Sequence, residues 1–203
     1  FFLEIPGPTV TGILTGNGGL HTLIADSQGP LSSFQQETSI NDSGTVAFMA
    51  QLDGFGGNSA RILTGDGGTL TVVAAVAPGG PFYFVSGPSI NNMGTVAFFA
   101  FLDSDTGLQR GIFTGPDVVG DKVIASGDLL FGRHVSTVNS TRNMLNDAGQ
   151  IAFAAVFEDG SRGIYRADPV PAPVPEPSTL LLLGSGLAGL AMWRRRTNPA
   201  PIS

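Results

Sequence analysis

The 203 residues contain no cysteine, which excludes disulfides, thiolate metal sites and cysteine nucleophiles together. Imidazole is almost as scarce. His21 and His134 are the only two histidines, and neither sits beside a serine nucleophile elbow or a metal-ligand partner at helical spacing. Charged residues make up only 13 % of the chain, about half the usual share, and Lys122 is the sole lysine. Residues 1–168 hold seven Lys+Arg against fifteen Asp+Glu. Such a surface repels phosphate backbones, so nucleic acid is not an expected partner. With the usual metal and nucleophile chemistries gone, no catalytic residue, cofactor or metal site is expected, and the chain reads as a non-enzyme.

What is abundant is glycine (29) and proline (14), about a fifth of the chain, together with 42 % hydrophobic residues that include 14 Phe. That composition specifies turns, short strands and enough apolar mass for a core. The expected fold is all-β.

From Pro169 the texture changes. Prolines 169, 171, 173, 175 and 177 fall at every second position, and such a run favours an extended polyproline II spacer. Residues 178–193 then carry no charge and six leucines, Leu180, Leu181, Leu182, Leu183, Leu187 and Leu190. The run ends at Trp193 before Arg194, Arg195 and Arg196. As a helix it reaches about 24 Å, short of a hydrocarbon core of about 30 Å. Length alone would favour a buried core helix. The spacer, the aromatic end and the arginine cluster favour a single membrane span over 178–193, with 194–203 as a basic cytoplasmic tail and residues 1–168 outside.

These features resemble a known signal. Val174-Pro175-Glu176-Pro177-Ser178-Thr179, a short Leu/Gly/Ala-rich segment and a terminal arginine cluster resemble the PEP-CTERM sorting signal of exported proteins in Gram-negative, often polysaccharide-producing bacteria. The resemblance implies an exosortase-like membrane enzyme as partner, a stay in the inner membrane with the C-terminus cytoplasmic, and delivery to the cell surface, extracellular matrix or biofilm. Exopolysaccharide is a further expected partner under the alternative that the repeats bind carbohydrate. Sortase and GPI signals fit less well, for want of a Leu-Pro-x-Thr-Gly and because a GPI tail lacks the arginines.

The body, 1–168, is repetitive. Ile40-Asn41-Asp42-Ser43-Gly44-Thr45-Val46-Ala47-Phe48 recurs as Ile90 to Phe98 and as Leu145 to Phe153, so that Asn41, Asn91 and Asn146 are 50 and 55 residues apart. A second block, Arg61-Ile62-Leu63-Thr64-Gly65, recurs at 111–115 and 163–167, and earlier as Gly12-Ile13-Leu14-Thr15-Gly16. A third block comprises Leu23-Ile24-Ala25, Val72-Val73-Ala74 and Val123-Ile124-Ala125. Copies fall near 1–38, 39–88, 89–143 and 144–168. Each reads as three short strands, with room for a fourth, joined by turns such as Asn17-Gly18-Gly19 and Asp66-Gly67-Gly68. The strand over Thr45–Gln51 is apolar on both faces, with Val46 and Phe48 on one and Ala47 and Met49 on the other, so both must be covered. Radial or stacked repetition follows, and a β-propeller fits best. The repeats loosely resemble propeller-like tandem repeats of uncharacterised exported proteins. Phe1 opens the chain inside a repeat, without Met or signal peptide, and further repeat upstream is expected.

Candidate chemistry in the body is thin. The loop Asp103-Ser104-Asp105-Thr106-Gly107 begins as calcium loops do, but Thr114 stands where the closing Glu belongs. Asp42-Ser43-Gly44 resembles a sialidase Asp-box turn without its Trp. Glu4, Asp53, Asp103 and Glu158 follow equivalent strands and could form an acidic ring, though solvated loop acids are the default. Asn41, Asn91 and Asn146 could line a rim, but Asn with Gly three residues on is first of all turn chemistry. Three functions are therefore carried forward: a structural or adhesive surface repeat, a carbohydrate-binding propeller, and a glycan-active enzyme.

Overall fold

A computed structural model describes residues 10–53, 59–102 and 107–170. The chain divides into two units, Phe1–Pro169 and Val170–Ser203, and the strands among the described residues lie in the first. The described residues are all-β. The strands are β1 (Gly12–Thr15), β2 (Thr22–Asp26), β3 (Leu31–Ile40), β4 (Val46–Leu52), β5 (Ala60–Gly65), β6 (Thr71–Ala75), β7 (Phe82–Ile90), β8 (Val96–Leu102), β9 (Gln109–Phe113), β10 (Lys122–Ala125), β11 (Leu129–Leu130), β12 (Arg133–Leu145), β13 (Ile151–Phe157) and β14 (Arg162–Ala167).

They form four antiparallel sheets in chain order: β1-β2, β3-β4-β5-β6, β7-β8-β9-β10 and β11-β12-β13-β14. The second and third sheets are four-stranded meanders, so the repeat holds four strands and not only the three that its apolar blocks mark. The extra one is the opening strand, β3, β7 or β12. Its sequence does not recur from copy to copy: β3 is the polar Leu-Ser-Ser-Phe-Gln-Gln-Glu-Thr-Ser-Ile, whereas β7 opens Phe-Tyr-Phe-Val. The sheets are accordingly phased one strand earlier than the sequence blocks, starting at 31, 82 and 129.

The sheets stack face to face. Ile13, Ile24 and Ala25 of the first pack on Val46, Phe48, Ala50 and Leu63 of the second. The opposite face of the second, through Ala47, Met49, Ala60, Ile62 and Ala74, packs on Phe82, Val85, Val96, Phe98 and Phe113 of the third. Ala97, Ile112 and Ile124 on the far side of the third meet Val135, Val138, Ile151, Phe153, Ala155 and Phe157 of the fourth. Alternation along β4 thus sends successive side chains into two different cores, as expected for a strand covered on both sides. Phe82, Phe98 and Phe113 form an aromatic triad with centroids 5.4–6.2 Å apart, a spacing that adds edge-to-face attraction to plain burial.

No helix among the described residues is long and apolar enough to cross a membrane. The expected span at 178–193, the sorting motif before it and the arginines after it lie outside the described residues, as do Glu4 and Asp103 to Thr106.

Candidate functional site

The opening strands β3, β7 and β12 of successive sheets lie beside one another, and two features repeat along them: a turn at the end and a bulge in the middle. The turn is Asn-x-x-Gly. In the first, the Gly44 N–H donates to Asn41 O (3.0 Å), Asn41 N–H donates to Thr45 O (3.1 Å), and Thr45 N–H donates to Asn41 Oδ1 (2.9 Å). Gly44, Gly94 and Gly149 hold φ of 86°, 80° and 76°, the left-handed conformation that only glycine adopts without penalty. This is the turn chemistry that the spacing implied.

The same asparagines also join the sheets. Asn41 Nδ2 donates to Asn91 O of the next turn (3.2 Å), and Asn91 Nδ2 donates to Asn146 O (3.1 Å). Beside them, Asp42 N–H donates to Asn92 Oδ1 and Asn92 N–H donates to Asp147 Oδ1, both at 2.8 Å. Asn92 Nδ2 spends its two protons on Asp42 (2.7 Å) and Asp147 (2.9 Å). An amide thus separates two carboxylates that would repel if a third acid stood at position 92. Ser39 Oγ accepts from Ile90 N–H (3.1 Å) and Ser89 Oγ from Leu145 N–H (3.3 Å). The ladder stops at Asn146, whose Nδ2 turns back to Gln150 Oε1 (2.9 Å). Reading the sequence missed these straps, although Ser-Ile-Asn at 39–41 and 89–91 carried the signal one residue ahead of the repeated block.

The bulges make a cavity. Phe34 to Thr38 takes four steps opposite two on β4, Ser86 to Ser89 takes three opposite two on β8, and Ser140 to Leu145 takes five opposite two on β13. The excess residues swing out and meet at Gly87 (φ 59°), where an added Cβ would lie 3.4 Å from the Glu37 carboxylate and 3.8 Å from Ser140 Oγ. Asn143 holds φ of 54° there, a left-handed setting that asparagine tolerates better than other residues with a side chain. The result is an open cavity of about 220 Å³ lined by Gln36, Glu37, Ser140, Thr141, Arg142 and Asn143 among others. Glu37 and Arg142 make no ion pair with each other or with any described residue. Such a cavity offers donors and acceptors of both charges to a polar ligand. No sequence signal marked it, because the three bulges differ in length and composition.

The remaining candidates are placed simply. His21 and His134 are exposed, the latter 3.2 Å from Gly127 O through Nδ1. Asp53 and Glu158 are exposed too, their N–H groups donating to Pro30 O (2.8 Å) and His134 O (3.1 Å). No cluster of three or more metal-ligating side chains occurs among the described residues. Three surface carboxylates titrate below the usual range: Asp117 through the N–H groups of Val119 and Gly120, Asp159 through the Ser161 hydroxyl and N–H, and Asp168 through the Gln150 amide and Arg166.

A family model, that of DUF7453, matches the chain over residues 21–136 and again over 127–181. The chain belongs to DUF7453, a family of unknown function. This DUF7453 member also matches the PEP-CTERM protein-sorting motif over residues 173–196. The motif marks an exported protein, sorted to the cell surface through a membrane enzyme of the exosortase type. No curated protein and no solved structure matches the chain.

Proposed function

We propose that this is a non-catalytic surface or matrix protein whose β-repeat body serves as a structural or adhesive element. The observation that carries the reading is the combination of a sorting motif at 173–196 with a body of stacked sheets strapped to one another by asparagine turns. A stack in which each sheet covers its neighbour is built to be stiff and durable outside the cell. We read the stack as an arc of β-propeller blades, because four-stranded meanders with adjacent opening strands are the blade arrangement. In the same reading 178–193 spans the inner membrane, Arg194, Arg195 and Arg196 stay cytoplasmic, and cleavage falls near Pro175–Pro177.

Mass spectrometry of the C-terminal peptide of protein recovered from the cell surface and medium tests this. A mature end near Pro175–Pro177 is expected. An intact Arg194–Ser203 end on that material would overturn processing and leave a membrane-held protein. The double substitution Pro175→Ala/Pro177→Ala should mislocalise the protein, and an unchanged distribution would count against sorting.

The cavity at the bulges favours a second reading, in which the body binds exopolysaccharide through Glu37, Arg142 and Asn143. Saturable binding of the producing organism's own glycan, lost in Arg142→Ala, is the expected result. Absence of binding would remove this reading without touching the first.

A further inference from the structure

The β1–β2, β5–β6 and β9–β10 loops hold the same place in three successive sheets, and the first differs from the other two in the residue that closes it. In the second and third sheets that residue is an aspartate. Asp66 Oδ1 accepts the Gly68 N–H (3.1 Å) and Asp117 Oδ1 accepts the Val119 N–H (2.9 Å). The β1–β2 loop, residues 16–21, has Asn17 there instead, followed by Gly18 and Gly19. All of 16–21 is exposed, and among the described residues no hydrogen bond engages the Asn17 carboxamide or the Gly18 N–H. Asn17 Oδ1 lies 3.6 Å from the point where a Gly19 Cβ would stand, so the carboxamide folds over the backbone that follows it. A Cβ added at Gly18 would meet nothing within 4 Å, which leaves room for a ring to close there.

No other asparagine combines these features. Asn17 is the only one in the chain followed by glycine. Asn41, Asn91, Asn92 and Asn146 commit their side chains to hydrogen bonds, and Asn139 and Asn143 precede Ser140 and Met144, whose side chains hinder the backbone nitrogen.

We propose that Asn17 is a site of spontaneous deamidation. The Gly18 nitrogen attacks Asn17 Cγ, the Cγ–Nδ2 bond breaks, and ammonia leaves with the proton that the Gly18 nitrogen gives up. The product is a succinimide ring. Water then adds to one of its two carbonyls. Addition at Cγ restores the peptide and leaves an aspartate, whereas addition at the main-chain carbon leaves an isoaspartate joined to Gly18 through its side chain. Both reacting groups are free of competing hydrogen bonds, and glycine puts no side chain in the path of the attacking nitrogen. The aspartate product reproduces at position 17 the residue type that Asp66 and Asp117 already supply. Gly16, Gly18 and Gly19 give the loop the freedom to absorb the extra backbone carbon of the isoaspartate without disturbing the Thr15–Thr22 pair. Each event adds one negative charge to the loop. In a protein sorted to the cell surface, away from resynthesis, the change accumulates with age.

The test is independent of how the protein is sorted or what it binds. The full chain is incubated in mildly alkaline buffer with a mild non-ionic detergent, beside a free peptide of residues 12–26, and both are digested at intervals for mass spectrometry. The fragment holding residue 17 is expected to gain one mass unit and to split into aspartyl and isoaspartyl peaks, the latter labelled by an isoaspartyl methyltransferase. Its rate in the folded chain should lie within a few-fold of the rate in the peptide. Asn17→Gln should abolish the change, and Gly18→Ala should slow it several-fold, with circular dichroism of both variants unaltered. An Asn17 that persists while the peptide converts would overturn the proposal. So would equally fast conversion at Asn41, Asn91 or Asn146, or an aspartyl product formed with no isoaspartyl partner.

Discussion

The second and third sheets differ from the fourth in what lies against them, far more than in their residues. The same isoleucine is sealed in two sheets and bare in the last, and the same asparagine crosses to a neighbour twice and turns back on itself the third time. Burial in this molecule therefore belongs to the interface between copies rather than to the copy. A repeat of this kind cannot complete a core alone, and its stability is the sum of weak units and strong nearest-neighbour terms.

The largest break in that comparison should come from the third sheet. Phe98→Ala removes one fully buried ring of the aromatic triad and should cost about 3–5 kcal/mol in urea unfolding, while Ile112→Ala should cost about 2–5. Next, Asn91→Asp deletes the donor that straps the third turn to the fourth and leaves a carboxylate at a site only 4 % exposed. A loss of at least about 2 kcal/mol is expected. Asn146→Asp, at an exposed residue whose side chain bonds only to Gln150, should cost a small fraction of that. Equal losses at 91 and 146 would mean that the straps do not carry the coupling.

A smaller effect is expected at the glycines. Gly94→Ala forces φ of 80° on a residue with a side chain and should cost about 1–2 kcal/mol. Gly29→Ala, with negative φ and open space around it, should be neutral or slightly stabilising. Ile164→Ala should change monomer stability by less than about 0.5 kcal/mol, against the much larger loss at Ile112.

The smallest effect concerns acid. Asp159 and Asp168 belong to the fourth sheet and its exit, and both titrate below the ordinary 3.8 because Ser161, Gln150 and Arg166 stabilise their ionised forms. A carboxylate with a depressed folded pKa stabilises the fold above its unfolded value and loses that contribution as pH falls through the folded one. Hydrogen exchange should therefore show the fourth sheet loosening before the second as pH drops below 3.8. Ser161→Ala should shrink the difference. Simultaneous loosening would show that the stack melts as one unit.

Much of this architecture is legible in the sequence. The Asn-x-x-Gly spacing announced its turns because positive φ leaves few residue choices, and the two-faced apolar strand expected over Thr45–Gln51, found at Val46–Leu52, announced covering on both sides. The opening strands were not legible as a repeated block, since β3 and β12 are polar where β7 opens Phe-Tyr-Phe-Val, and all three are bulged and of unequal length. Nor was the cavity around Gly87, whose lining residues come from three copies and share no pattern.

The sequence by itself determined the period, the all-β class, the paired faces and the sorting signal, because turn chemistry, alternation and a short linear motif are local properties written in neighbouring residues. Only the tertiary structure decided that Asn41 and Asn91 bridge sheets, that unequal bulges converge on one cavity, and that Ile164 is left bare while Ile62 and Ile112 are sealed. Those facts depend on which copy lies against which, and identical residues cannot reveal it.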